Sequence, residues 1–269
     1  MTSSGPIALF DSGEGGLTVL RQLLQRMPGE QFIYGADSGH FPYGEKSLQQ
    51  VRDWFLAFLD FFIAQGARAV VIACNTATAA ALQEAAARSP VPVIGVVEPA
   101  AERAAAISRN GSVGVLSTEA THRSGLYRSR LQAIRPQLTV ISKPCPILVV
   151  MAENGQIDGV NVEDAVRACV EPVMDTGVDT IILGCTHFPH MRQVFNRVVD
   201  NRAAIVDPGE EIADRLMPLG FPKHGQTTRV KAWTTGNLER FLWVAERLCP
   251  GIPLEAHALH WKDGRVRDA

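Results

Sequence analysis

"ARAVVIACNTATAAAL", residues 67–82, joins an apolar β-branched run to an alanine-rich run across Cys74, Asn75 and Thr76. Ala69–Ala73 reads as a strand and Ala77–Ala87 as a helix. A strand apolar at every position is covered on both faces, which points to a parallel sheet with crossover helices. In such sheets ligands bind beyond the carboxyl ends of the strands, where Cys74 stands. A second stretch, "VDTIILGCTHFPH", residues 178–190, repeats the order of strand, Cys185, two polar residues and helix.

The same alternation runs outward from both stretches. Strands are expected over Ile7–Asp11, Phe32–Ala36, Val93–Val97, Ser112–Ser117, Thr139–Ser142, Thr180–Leu183, Ala204–Val206 and Val230–Thr234. Helices are expected over Gly16–Gln25, Ser47–Gln65, Glu98–Ala106, Thr121–Ala133, Val162–Asp175, Pro189–Val199, Glu210–Met217 and Leu238–Leu248. Ser47-x-x-Gln50 has the pattern of a capping box. The likeness of "VVIACNT" to "IILGCTH" hints at two related α/β units. Chain divisions are expected near Val97–Pro99 and Asp207–Pro208.

Composition narrows the class of protein. The 269 residues are 46% hydrophobic and 20% charged, with a net charge of −2, the balance of a globular protein with a sizeable core. No basic excess points to nucleic acid. The most apolar helix, Trp54–Ala64, is broken by Asp60 and falls short of the ~20 residues a membrane span needs. "MTSSGPIALF" lacks the basic and apolar regions of a secretory signal. Five cysteines, with no Cys-x-x-Cys, argue against a disulfide framework or zinc ribbon and fit a reducing cytoplasm.

A thiol acts as nucleophile or base only as thiolate, a form that helix N-termini favour. Both Cys74 and Cys185 are expected to receive that help. Four chemistries compete. A single Cys with a His hydrolyses amides, but leaves the second thiol idle. A redox pair needs the sulfurs within about 2 Å when oxidised. Zinc would take Cys74, Cys185 and His187. Alternatively, two thiols facing one carbon across a cleft supply a base on one face and an acid on the other, the layout for inverting a stereocentre.

"IALFDSGEGGLTVL", "FPYGEKS", "VVIACNTATA", "STEATHRSG", "CPILVVMAENG", "LGCTHFPHM" and "IVDPGEEIA" resemble the successive motifs of glutamate racemases, in order, from Ile7 to about Ala213. The resemblance implies an isomerase of L- and D-glutamate that uses no cofactor and no metal and supplies D-glutamate for peptidoglycan. It implies that Cys185 deprotonates the L-enantiomer and Cys74 the D-enantiomer. The implied fold is α/β: two similar domains with mainly parallel sheets flanked by helices, and the active site in the cleft between them. Residues 1–97 plus 209–269 would form one domain, and 98–208 an inserted one. A cytoplasmic homodimer is also implied, with no nucleic-acid or membrane partner. Members activated by a peptidoglycan precursor carry an N-terminal extension, whereas six residues precede Ile7 here. No response to such a precursor is expected.

Further residues take roles beside this resemblance. Asp11 and Ser12 end a strand where they can meet a substrate ammonium, although "DSGEGG" also makes a tight turn. Pro42, Tyr43 and Gly44 can present N–H groups and a phenol to a carboxylate, or form a plain turn. Asn75, Thr76 and Thr186 start helices as N-caps or carboxylate ligands. His187 can hold the proton of Cys185. Asp37 and Glu153 match acidic positions of the family, and Thr118 and Thr121 line the cleft or cap a helix. Cys145, Cys169 and Cys249 are read as structural. Gly39, His40 and Phe188 depart from the commoner family residues, which touches specificity more than reaction type. The rival readings are a racemase of aspartate, another amino acid or a hydantoin, a non-catalytic amino-acid-binding regulator, and a thiol hydrolase.

Overall fold

The computed structural model describes residues 5–219 and 230–268. The chain alternates strand and helix: β1 (Ile7–Asp11), α1 (Leu17–Arg26), β2 (Phe32–Ala36), α2 (Leu48–Ala64), β3 (Ala69–Ile72), α3 (Asn75–Arg88), β4 (Val93–Gly95) and α4 (Val97–Ile107). It continues with β5 (Ser112–Ser117), α5 (Glu119–Ser124), α6 (Leu126–Ile134), β6 (Thr139–Pro144), α7 (Pro146–Glu153), α8 (Val160–Met174), β7 (Thr180–Gly184), α9 (Arg192–Val199), β8 (Ala204–Val206) and α10 (Pro208–Leu216). It ends with β9 (Val230–Thr234), α11 (Leu238–Leu248), β10 (Leu254–Lys262) and β11 (Arg265–Asp268).

The strands form two sheets, ordered β11-β10-β9-β2-β1-β3-β4 and β6-β5-β7-β8. All pairings are parallel except β10–β11. The order β2-β1-β3-β4 in the larger sheet repeats as β6-β5-β7-β8, so the two units share one winding. Their registers match as well. Phe10 pairs Ile72, and two residues further on stand Ser12 and Cys74. Leu116 pairs Leu183, and two residues further on stand Thr118 and Cys185. The two cysteines therefore occupy equivalent places, each with a hydroxyl residue on the adjoining strand end.

Burial on both faces explains the continuous apolar strands. Every residue of β1, β2, β3 and β7 is buried. One face of the large sheet packs Leu9, Tyr34 and Val71 against Leu20, Leu23 and Phe241. The other packs Phe10, Val70 and Ile72 against Phe55, Phe58 and Phe62 of α2. Ser47 caps α2 in the expected box, accepting from Gln50 N at 3.2 Å while Gln50 Oε1 accepts from Ser47 N.

The elements differ from expectation at particular places. The run expected as one helix over Thr121–Ala133 is split into α5 and α6 at Gly125, whose φ of 65° ends the first. Helix α7 was hidden in the apolar "CPILVVMAENG", although Pro146 suits a first helical position. Strands β10 and β11 lie beyond the last expected strand. Asp263 and Gly264 join them at φ 52° and 70°, the conformation of an Asp-Gly hairpin turn.

Candidate active site

Both cysteine sulfurs line one cavity of ≈ 70 Å³, walled by Ser12, the Phe41–Glu45 segment, Cys74–Thr76, Thr118, Glu119, α7 and Cys185–His187. At about 10–15 Å³ for each water-sized group, that suits a small molecule. No Lys or Arg lines it among the described residues. An anionic ligand would therefore rely on hydroxyls, N–H groups and the positive end of α3.

Cys74 is the N-cap of α3. Its Sγ accepts from Ala77 N at 3.4 Å, and its thiol donates to Ser12 Oγ at 3.8 Å. The expected lowering by the helix end is outweighed. Burial, then the Asp11 charge, pushes this thiol up to about 12 against the help of Ala77 and Ser12. At neutral pH the Cys74 thiol keeps its proton.

Cys185 does not face an α-helix N-terminus, contrary to expectation. A 3₁₀ turn at Phe188–Met191 follows it, opened by Pro189, and α9 begins only at Arg192. Thr186 therefore caps no helix; its hydroxyl donates to Asp11 Oδ1 at 3.3 Å. The group beside Cys185 is His187, with Nδ1 3.8 Å from Sγ. His187 Nε2 lies 2.5 Å from Glu153 Oε1. Burial pushes this imidazole down, but Cys185 and Glu153 outweigh it and hold it well above its usual value. Burial likewise pushes Glu153 up, and the His187 hydrogen bond and charge bring it below the usual range. A charged imidazole is the proper neighbour for a thiolate.

Asp11 is fully buried at the end of β1 and accepts from Gly13 N at 3.3 Å and Gly16 N at 3.0 Å. Two glycines allow this close packing. A Cβ on Gly16 would lie 2.6 Å from Asp11 Cβ, and one on Gly15 would lie 2.6 Å from Thr186 Oγ1. Burial, against His187 and these hydrogen bonds, raises the carboxyl from 3.8 to about 6. A carboxyl raised in the folded state stabilises fully below its unfolded value and loses that contribution as pH rises through the folded one. Asp11→Asn is thus expected to stabilise the fold by about 1–3 kcal/mol. The gain should develop between pH 3.8 and about 6 and stay flat above. Urea unfolding across that range measures it; a pH-independent difference would contradict the assignment.

Asp37 is buried but does not reach the cavity. Its carboxylate accepts from Tyr43 Oη at 2.6 Å, Thr235 Oγ1 at 2.6 Å and Trp261 Nε1 at 3.0 Å, and meets His40 Nδ1 at 2.9 Å. All its acceptor capacity goes to protein partners, so the expected substrate contact is replaced by anchorage of Tyr43 in the cavity wall. His40 stacks on Trp54 at 3.9 Å. The late strand β10, through Trp261, thus braces the site from outside.

The other expected residues divide in the same way. Ser12, Pro42, Tyr43, Gly44, Asn75, Thr76, Thr118, Thr186 and His187 line the cavity with both cysteines. Asp11, Thr121 and Glu153 stand behind that wall. Thr76 Oγ1 meets Thr118 Oγ1 at 2.9 Å and Thr121 Oγ1 at 3.1 Å, which ties the two units together. Tyr127 Oη donates to Asn75 Oδ1 at 2.6 Å across the same junction. Sequence reading missed Tyr127, the α7 wall residues Pro146, Val149 and Val150, and Glu14. Among the described residues no cluster of His, Cys, Asp and Glu is arranged to hold a metal ion, and no helix is long and apolar enough to cross a membrane.

Two equivalently wound α/β units close on one small cavity, and each places a strand-end cysteine in its wall. The Asp/Glu/hydantoin racemase pattern matches residues 12–216. A glutamate racemase of Symbiobacterium thermophilum is 46% identical over 264 residues, covering 95% of each chain. The crystal structure of glutamate racemase isoform RacE1 from Bacillus anthracis superposes with a TM-score of 0.91 at 30% identity, covering 98% of this chain and 100% of that one. A Francisella tularensis glutamate racemase in complex with D-glutamate gives 0.87 at 28% identity, covering 97% and 98%. The chain belongs to the Asp/Glu/hydantoin racemase family.

Proposed function

We propose that this protein is a glutamate racemase that transfers the α-proton between two thiols and supplies D-glutamate for peptidoglycan in the cytoplasm. The observation that carries this reading is the pair of equivalent strand-end sulfurs on one small cavity. Glutamate is the substrate named for the relatives that cover most of the chain.

In the L-to-D direction Cys185, as thiolate beside His187, takes the α-proton. Cys74 then delivers its proton to the opposite face of the carbon. Its high proton affinity suits that role. In the reverse direction the two exchange parts. The α3 N-terminus and the hydroxyls of Ser12, Thr76, Thr118 and Thr186 are assigned to the substrate's charged ends. Asp11, Asp37, Thr121 and Glu153 are assigned to holding those groups in place. Residues 1–97 plus 209–269, and 98–208, are proposed as the two domains, and the working form as a homodimer.

The test is formation of D-glutamate from L-glutamate by the purified protein without pyridoxal phosphate or added metal, followed by circular dichroism. Aspartate and other amino acids serve as the comparison panel. Absence of turnover with glutamate, or faster turnover of another member, would overturn the substrate assignment.

A further inference from the structure

Tyr127 touches the elements that carry both thiols, yet the two-thiol reaction gives it no part. It stands on α6 of the second unit and is 3% exposed. Its hydroxyl crosses to the first unit and donates to Asn75 Oδ1 at 2.6 Å, one residue after Cys74. Its ring sits on the backbone at Gly184, one residue before Cys185, where an added Cβ would lie 3.1 Å from Tyr127 Cε2. Burial, then the charges of Glu98, Asp207 and Cys185, hold the phenol well above its usual value, so it keeps its proton and donates. Asn75 is itself buried and lines the substrate cavity, whereas Tyr127 does not. Among the described residues no protein acceptor takes a hydrogen from Asn75 Nδ2.

We propose that Tyr127 is a positioning residue for the reaction: by holding Asn75 Oδ1 it turns Nδ2 toward a carboxylate of the substrate. The proposal rests on the two-thiol racemase reading above. An amide can present either its oxygen or its nitrogen, and only the nitrogen donates to a carboxylate. An amide oxygen facing that carboxylate in a buried site would repel it. The phenol removes the choice, because a donating hydroxyl is satisfied by Oδ1 and not by Nδ2. With Oδ1 engaged, Nδ2 is the end left for the substrate.

The surroundings give this orientation its weight. No Lys or Arg lines the cavity among the described residues, so each neutral donor counts toward an anionic substrate. Asn75 opens α3, and its amide therefore acts beside the positive end of that helix. The hydroxyl comes from one unit and the amide from the other, so the amide is oriented only when the two units are closed. Tyr127 touches no substrate wall and acts through Asn75.

Tyr127→Phe removes one oxygen and keeps the ring on Gly184. It is expected to raise KM for both enantiomers of glutamate about tenfold, with kcat within about threefold of the parent. Asn75→Ala should raise KM by at least as much. Adding Tyr127→Phe to Asn75→Ala should then change KM by less than about twofold, because the hydroxyl has no amide left to hold. A merely structural role would not lose its effect in that way. Asn75→Asp keeps an acceptor for Tyr127 but replaces the donor nitrogen by oxygen. It should raise KM by at least about tenfold, and it tests the proposal if the phenylalanine protein does not fold. An unchanged KM in Tyr127→Phe or in Asn75→Asp, or effects of Tyr127→Phe and Asn75→Ala that multiply, overturn the proposal. Failure of the two-thiol reading is distinguishable, because Cys185→Ser would then keep its turnover whatever KM the Tyr127 variant shows.

Discussion

Cys185→Ser is expected to lower kcat/KM for glutamate racemisation by about 10²- to 10⁴-fold, the range a positioned acid–base group contributes. A serine hydroxyl at the same place holds its proton far more tightly than a thiol, so the proposed base is lost. The change removes no packing volume of consequence from this buried position, so thermal melting should stay close to that of the parent. Cys74→Ser should be comparably impaired, because inversion needs both faces served. The two variants differ in the step they retain. In heavy water Cys74→Ser should still exchange the α-hydrogen of L-glutamate, and Cys185→Ser that of D-glutamate. NMR of the unreacted substrate reads this directly. Full turnover in either variant, or the same exchange preference in both, would reject the assigned division of labour.

Glu153→Ala is expected to destabilise the fold by about 3–5 kcal/mol, because it leaves a buried imidazolium without its carboxylate. His187 is 1% exposed and its Nε2 has Glu153 as partner at 2.5 Å. Activity should fall by about 10²-fold as the Cys185 neighbour loses its orientation. The pH dependence has a definite sense. Glu153 lies below its ordinary 4.5, so its contribution is complete above that value and is lost as pH falls through the folded one. His187 lies above its ordinary 6.5, so its contribution is complete below that value and is lost as pH rises through the folded one. The destabilisation should therefore be greatest between pH 4.5 and 6.5. Denaturant unfolding of both proteins at several pH values tests this. A loss that grows steadily above pH 6.5 would mean the pair is not ionised as described.

These two results bear on different parts of the site, and the parts were unequally legible beforehand. Cys74 and Cys185 stand out because each interrupts a strand-to-helix junction within one short stretch. The cavity-lining Asn75, Thr76 and Thr186 follow from the same junctions, and Thr118 from the end of a third strand. Asp37 was misread because nothing near it in the chain reveals Thr235 or Trp261, 198 and 224 residues away. Glu14 was passed over inside a glycine turn, since Glu153, which shares a cavity wall with it, comes from a helix that the apolar run 145–155 did not announce. Strand β10 carries a clear turn signal in Asp263-Gly264, and its omission left the bracing of Tyr43 unseen.

The sequence by itself determined the alternation of strand and helix, the parallel sheets, the Ser47 capping box and the two strand-end thiols. Those features depend on side-chain periodicity and on neighbours within a turn or two, which any short window contains. Only the tertiary structure decided that both sulfurs open on one cavity, that burial outweighs a helix end at Cys74, and that His187 stands in for a helix end at Cys185. Desolvation and hydrogen bonds between distant segments set those outcomes, and they exist only once the two units have closed on each other.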